Sequence, residues 1–259
     1  LDFLTWGVPT PRTVLYVDGE LPAWMLQQRI RELREPLEPL ITQCPRPMYV
    51  ITPDLQQDGI PKIDTAEGFI ALLQIADGIE DLALVVLDNL SCLTNPEDDN
   101  SSASWSSVQE LLLAFRRRGI AVIVVHHAGK GGQQRGTSRR ADILDVILKL
   151  SPDAGGHEDG RTRVLVEFEK GRSLPSDAKA PFTAILEPGP TTGLIWTRAA
   201  ATLPVADRAR AMLLDGMPAG DVATELHAAR SYVYRLRAEL VASGELSQGR
   251  NAKGQTRTV

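Results

Sequence analysis

Two stretches of the chain are apolar without interruption, residues 84–87 (Leu-Val-Val-Leu) and 120–125 (Ile-Ala-Val-Ile-Val-Val), and each stops at a polar group: Asp88 after the first, His126-His127 after the second. Short continuous runs of Val, Leu and Ile are the pattern of strands buried on both faces of a parallel sheet. Residues 13–17 read the same way and run into Asp18-Gly19-Glu20, so a pair of carboxylates meets a strand end. Between these strands the period becomes helical. Pro22 suits the first turn of a helix reaching about Arg34, with Leu26, Ile30 and Leu33 on one face. Thr65 is placed to cap a helix reaching about Ile79. A helix over 105–118 closes on Arg116-Arg117-Arg118-Gly119, cations and a glycine where a helix C-terminus favours them. A short strand at 48–51 follows a proline-rich connection (Pro36, Pro39, Pro45, Pro47), residues 2–11 read as a loop with two prolines, and residues 95–104 read as an acidic, Ser-rich, solvent-facing loop.

Further strands are expected over 143–150, 163–169, 182–186 and 194–196, with hairpin-like spacing and no helices between them. The fold class expected is therefore α/β: a parallel sheet flanked by helices, with appended antiparallel strands. From Val205 the pattern is helical throughout, over 206–214, 218–226 and 231–243, interrupted at Gly216 and at His227-Ala228-Ala229. The last two helices have the length and turn of a helix-turn-helix, and residues 244–259 offer a basic wing around 249–254. The expected division is a body over 1–202 and a small, mostly α winged helix-turn-helix over 203–259.

Composition changes this picture little. With 259 residues, 43% hydrophobic and 24% charged, the chain is long enough for a sizeable core and of ordinary globular character. No apolar run approaches the roughly 20 residues that a membrane span requires. Cys44 and Cys92 match no metal-ligand spacing and suggest no disulfide framework, so a cytoplasmic setting is expected. Charge is more informative: the net −5 divides into 8 Lys/Arg against 6 Asp/Glu from Leu203 onward, and 20 against 27 before it. A slightly basic tail on an acidic body points to a nucleic-acid module at the C-terminus.

In open α/β sheets ligands bind beyond the carboxyl ends of the strands. Three strands here deliver groups to such a place: Glu20, Asp88 and His127. An aspartate ending an apolar strand suits Mg²⁺ held through water, a carboxylate one strand over suits orienting an attacking water, and a neutral histidine suits sensing a terminal phosphate. That division of labour is nucleotide hydrolysis.

Four ordered segments carry a resemblance: Tyr16-Val17-Asp18-Gly19-Glu20-Leu21-Pro22, Leu84-Val85-Val86-Leu87-Asp88-Asn89-Leu90-Ser91, His126-His127-Ala128-Gly129-Lys130 and Arg135-Gly136-Thr137-Ser138. Together they resemble the RecA-like ATPases of the plasmid RepA type, hexameric replicative helicases related to the DnaB group, over roughly residues 1–187. The resemblance implies ATP and Mg²⁺ as ligands, Glu20 as the catalytic glutamate, Asp88 as the Walker B aspartate and His127 as the phosphate sensor. It further implies that Lys130, Arg135, Arg139 and Arg140 contact single-stranded DNA. Lys170 and Arg172 resemble the pair that reaches into a neighbouring subunit's site, which implies a homo-hexameric ring.

One departure stands out. The phosphate-cradling pattern G-x-x-x-x-G-K-[ST] occurs nowhere in the 259 residues, and Gly129-Lys130-Gly131 lacks both the upstream glycine and the hydroxyl after lysine. In the family this loop would come before residue 1. The expectation is a chain that lacks its N-terminal segment, the alternative a degenerate domain that does not hold ATP. In the C-terminal module, Arg230, Ser231, Tyr232, Tyr234, Arg235 and Arg237 open the third helix where donors to phosphates and base edges belong, with Arg250, Lys253 and Arg257 in the wing, which points to duplex DNA as partner. The bland reading of the same module is a three-helix protein-interaction domain. A non-catalytic DNA-binding regulator and a RecA-like ATPase of recombination are the other readings the sequence leaves open.

Overall fold

The apolar runs form adjacent strands of one parallel sheet. In the structure, a computed structural model, the described residues are 2–4, 6–43, 45–95, 102–127, 142–153, 161–190, 193–201 and 204–246. Strands β3 (Thr13–Asp18), β4 (Met48–Ile51), β5 (Leu82–Asp88) and β6 (Ala121–Val124) pair in parallel in the order β4-β3-β5-β6. Helices α1 (Ala23–Arg34), α3 (Ala66–Asp77) and α5 (Ser102–Arg117) make the crossovers that parallel pairing requires.

Side chains alternate across the sheet, so register decides which groups share a face. Leu15, Val17, Val85 and Leu87 are no more than 1% exposed and pack with Leu72 and Ala76 of α3 and Leu111 and Phe115 of α5. Burying each such Val or Leu contributes about 1.5–3 kcal/mol. The opposite parity, Tyr16 and Asp18 on β3 with Val86 and Asp88 on β5, carries the polar groups.

The helix ends follow local chemistry. Thr65 Oγ1 accepts from Gly68 N at 3.1 Å, the cap its position predicts. Gly119, at φ +72°, follows α5, with Gly119 N donating to Arg116 O and Ile120 N to Phe115 O, a Schellman closure.

Residues 2–11, read as a loop, and the proline-rich connection both hold regular structure. Residues Asp2–Phe3 (β1) and Trp6–Gly7 (β2) form a small antiparallel hairpin with Phe3 and Trp6 stacked at 6.1 Å, too short to show any alternation in sequence. The proline-rich segment is helical, a 3₁₀ turn Glu35–Leu37 followed by α2 (Glu38–Gln43). Pro36 and Pro39 sit in first turns, where a missing N–H costs nothing. A further one-turn helix, α4 (Leu90–Leu93), directly follows Asn89. Of the 95–104 loop, residues 96–101 lie outside the described residues, and α5 takes in the remainder from Ser102.

Strands β7 (Val146–Pro152), β8 (Thr162–Gly171), β9 (Phe182–Pro188) and β10 (Leu194–Ala200) make an antiparallel sheet in the order β10-β9-β8-β7. Helices α6 (Val205–Leu214), α7 (Ala219–Glu225) and α8 (Arg230–Ala242) enclose their own core of Ala209, Leu213, Val222, Leu226, Val233 and Leu240. The chain forms two compact units, one of residues 1–147, 169–174 and 186–197, the other of 148–168, 175–185 and 198–259. Everything described next as the candidate site belongs to the first.

Candidate active site

The carboxyl ends of β3 and β5 bring acids together because the strands are paired in register: Asp18 lies opposite Asp88. Asp88 is held by a neighbour two residues up β3, where the Tyr16 hydroxyl donates to its Oδ2. Burial pushes the Tyr16 hydroxyl above its ordinary range, and the bond to Asp88 adds to the shift. Asp18 is 1% exposed. Its Oδ2 accepts from Leu21 N at 2.9 Å, while Oδ1 is buried with no partner among the described residues. Burial raises the Asp18 carboxyl above the usual carboxylate range, opposed by the backbone N–H groups of Leu21 and Glu20 and reinforced by Asp88 and Glu20.

Gly19 makes the juxtaposition possible. Its N–H donates to Asp88 O at 2.7 Å, stitching the two strand ends, and a Cβ there would stand 2.9 Å from Cys92 Cβ and 3.0 Å from Leu93 Cδ2. Only a residue without a side chain lets α4 pack this close. The α4 turn is in turn tied to the end of β6, by Leu90 N donating to Val125 O at 2.9 Å.

These ties deliver Glu20, Asn89 and His127 to one cluster. Asn89 Nδ2 donates to Glu20 Oε2 and lies 3.0 Å from His127 Nε2, which is itself 3.3 Å from Glu20 Oε2. Asn89 is buried, whereas the Glu20 and His127 side chains are 53% and 67% exposed, so the cluster is open to a ligand. The three residues singled out from sequence, Glu20, Asp88 and His127, are thus gathered at one end of the sheet. Tyr16, Asp18 and Asn89 complete the site. Asn89 gave no signal beyond its place after a strand-terminal aspartate, and Tyr16 reads from sequence as an ordinary strand former.

Among the described residues no group of three or more His, Cys, Asp or Glu is arranged to hold a metal. Mg²⁺ commonly takes only one or two protein carboxylates and fills the rest with water and phosphate oxygens. Asp88, with the unpartnered Asp18 oxygen beside it, supplies hard oxygen donors of that kind, and the residues present fit this ion. The amide cradle for the phosphates has no counterpart in the sequence.

Lys170 is half-buried on β8, and Arg172 just beyond it donates to Asp142 O at 2.8 Å and to Asp145 Oδ1 at 3.4 Å. Asp145 also receives Arg116 at 2.8 Å. Lys130, Arg135, Arg139 and Arg140, like Arg250, Lys253 and Arg257, lie outside the described residues. At the start of α8, Arg230, Ser231, Tyr234 and Arg235 are exposed, Tyr232 and Arg237 are half-buried, and the Arg235 guanidinium sits 5.6 Å over the Tyr232 ring. No helix of the described residues is long and apolar enough to cross a membrane.

The family model described as an AAA domain matches residues 2–133, and the chain belongs to this family. Residues 2–133 are accordingly an ATPase-type nucleotide-binding domain. No curated protein matches the sequence. Solved structures similar to it include a KaiC-like protein of Pyrococcus horikoshii, at 13% identity and a TM-score of 0.45 over 71% of this chain and 75% of that one. The flagellar accessory protein FlaH of Methanocaldococcus jannaschii is similar at 12% identity and a TM-score of 0.42, over 71% and 76%.

Proposed function

We propose that the chain is a cytoplasmic, ATP-dependent nucleic-acid motor, of the RepA type of replicative helicase that serves plasmid or mobile-element replication. The observation that carries this reading is the convergence of Glu20, Asn89 and His127 within 3.3 Å, at the strand end that carries Asp88. MgATP, when bound, supplies an electrophilic γ-phosphate and a cation that neutralises its charge. Asp88, steadied by Tyr16, would hold the cation. Glu20 orients and deprotonates the attacking water, and His127 senses the phosphate by hydrogen bonding. Lys170 and Arg172 act on the site of a neighbouring subunit in a homo-hexamer, for which Arg172 exchanges its present partners Asp145 and Asp142. Single-stranded DNA is the partner of the Lys130–Arg140 region, with duplex DNA on α8 through Arg230, Ser231, Tyr234 and Arg235.

The test is ATP binding and turnover, with and without single-stranded DNA, by this chain and by any longer form that carries a G-x-x-x-x-G-K-[ST] loop upstream. Glu20→Gln is expected to abolish turnover and spare binding. Turnover unaffected by Glu20→Gln sinks the assignment. A second reading, a non-catalytic DNA-binding regulator, draws on the exposed polar start of α8. It takes over if both forms are inert while duplex binding is lost on Arg235→Ala.

A further inference from the structure

We propose that Asn89 is a positioning residue that fixes the tautomer of His127, so that Nε2 meets Asn89 at 3.0 Å as an acceptor rather than Glu20 Oε2 at 3.3 Å as a donor. The cap of α4 orients the Asn89 carboxamide. Asn89 Oδ1 accepts from Cys92 N at 3.1 Å. Only the oxygen of a carboxamide accepts from a backbone N–H, so the cap decides which way the amide faces. Its nitrogen must then point the other way, toward Glu20 Oε2 and His127 Nε2. Asn89 is 1% exposed and has no room to turn over without losing the cap.

An amide nitrogen carries two hydrogens and accepts nothing. At 3.0 Å from Nε2 it demands a lone pair there, because a protonated Nε2 would set two N–H groups against each other. Neutral His127 is therefore the Nδ1–H tautomer. Without Asn89 the balance reverses: the nearest remaining group to Nε2 is Glu20 Oε2 at 3.3 Å, and a carboxylate draws the proton to Nε2 and accepts from it. His127 would then replace Asn89 as the donor to Glu20 Oε2. The functional weight of this arrangement rests on the ATPase reading, but the tautomer itself does not.

Asn89→Asp separates positioning from capping, since Asp caps as well as Asn but has no hydrogens to give. Asn89→Ser retains a capping hydroxyl and adds no charge. The full chain, labelled with ¹⁵N, is studied by long-range ¹H–¹⁵N NMR near pH 8.5, about two units above the ordinary imidazole pKa, with His127→Gln assigning the resonances and thermal melts checking the fold. The expected wild-type spectrum has a pyridine-type, unprotonated Nε2 at His127. In both variants Nε2 gains the proton and shifts to the pyrrole type, while melting remains cooperative. A protonated Nε2 in the wild type, or a tautomer that neither variant changes, overturns the proposal. Because no turnover is measured, that failure is distinct from failure of the ATPase assignment.

Discussion

Asp18 and Asp88 face each other across adjacent parallel strands, and only one of the two has a hydroxyl donor: Asp88 receives Tyr16, while Asp18 Oδ1 is buried without a partner among the described residues. The Asp18 carboxyl is raised by its burial, so the folded chain holds that proton more tightly than the unfolded chain. Stability from this group is greatest below the ordinary carboxylate range and falls as pH rises through the raised value. Asp18→Asn is expected to flatten that part of the profile and to stabilise the fold at neutral pH. Urea melts of both proteins at a series of pH values between about 4 and 7 check it; identical profiles refute it.

Gly19→Ala places a methyl group 2.9 Å from Cys92 Cβ, closer than real Cβ atoms come, and tightly against Leu93. The expected cost is about 1–3 kcal/mol, read as a lower urea midpoint with an unchanged slope. Since α4 carries Asn89 at its cap, the same change should also perturb the His127 ring resonances.

Asp153 is fully buried, paired with Arg163 Nε at 2.8 Å and receiving the Thr183 hydroxyl at 3.3 Å. Asp153→Ala leaves a largely buried guanidinium without its counter-charge and is expected to cost about 3 kcal/mol or more. Replacing both residues with Leu should recover most of that loss. A double variant as unstable as the single one would show that the hydroxyl and its packing, rather than the charge pair, hold this site.

His227 closes α7 at φ +50°, a left-handed position where Ala228 N donates to Ala223 O and His227 N to Thr224 O. Such a closure favours glycine. His227→Gly is expected to raise stability by about 0.5–1 kcal/mol, net of the entropy glycine regains on unfolding. Differential scanning calorimetry reads the sign directly, and a lower melting temperature would count against the geometry.

What the chain reveals of itself depends on how many residues share a signal. The strands around Leu15, Leu87 and Ile123 are legible because Val, Leu and Ile dominate them, and their ends point to Glu20, Asp88 and His127. Gly119 and Thr65 are legible because capping is local chemistry. The helical turns at Pro36 and Pro39 are hidden because proline marks a loop and a first turn equally. Asn89 and Tyr16 are hidden for another reason: their importance lies in register and cap geometry, which bring them to residues 38 to 72 positions away.

The chain passes between its two compact units at 147/148, 168/169, 174/175, 185/186 and 197/198. Neither unit is one uninterrupted stretch of sequence. The α6–α8 helices therefore cannot be exchanged as a cassette with their whole unit by any single recombination event. The three helices, which enclose a core of their own, all follow the last of these crossings.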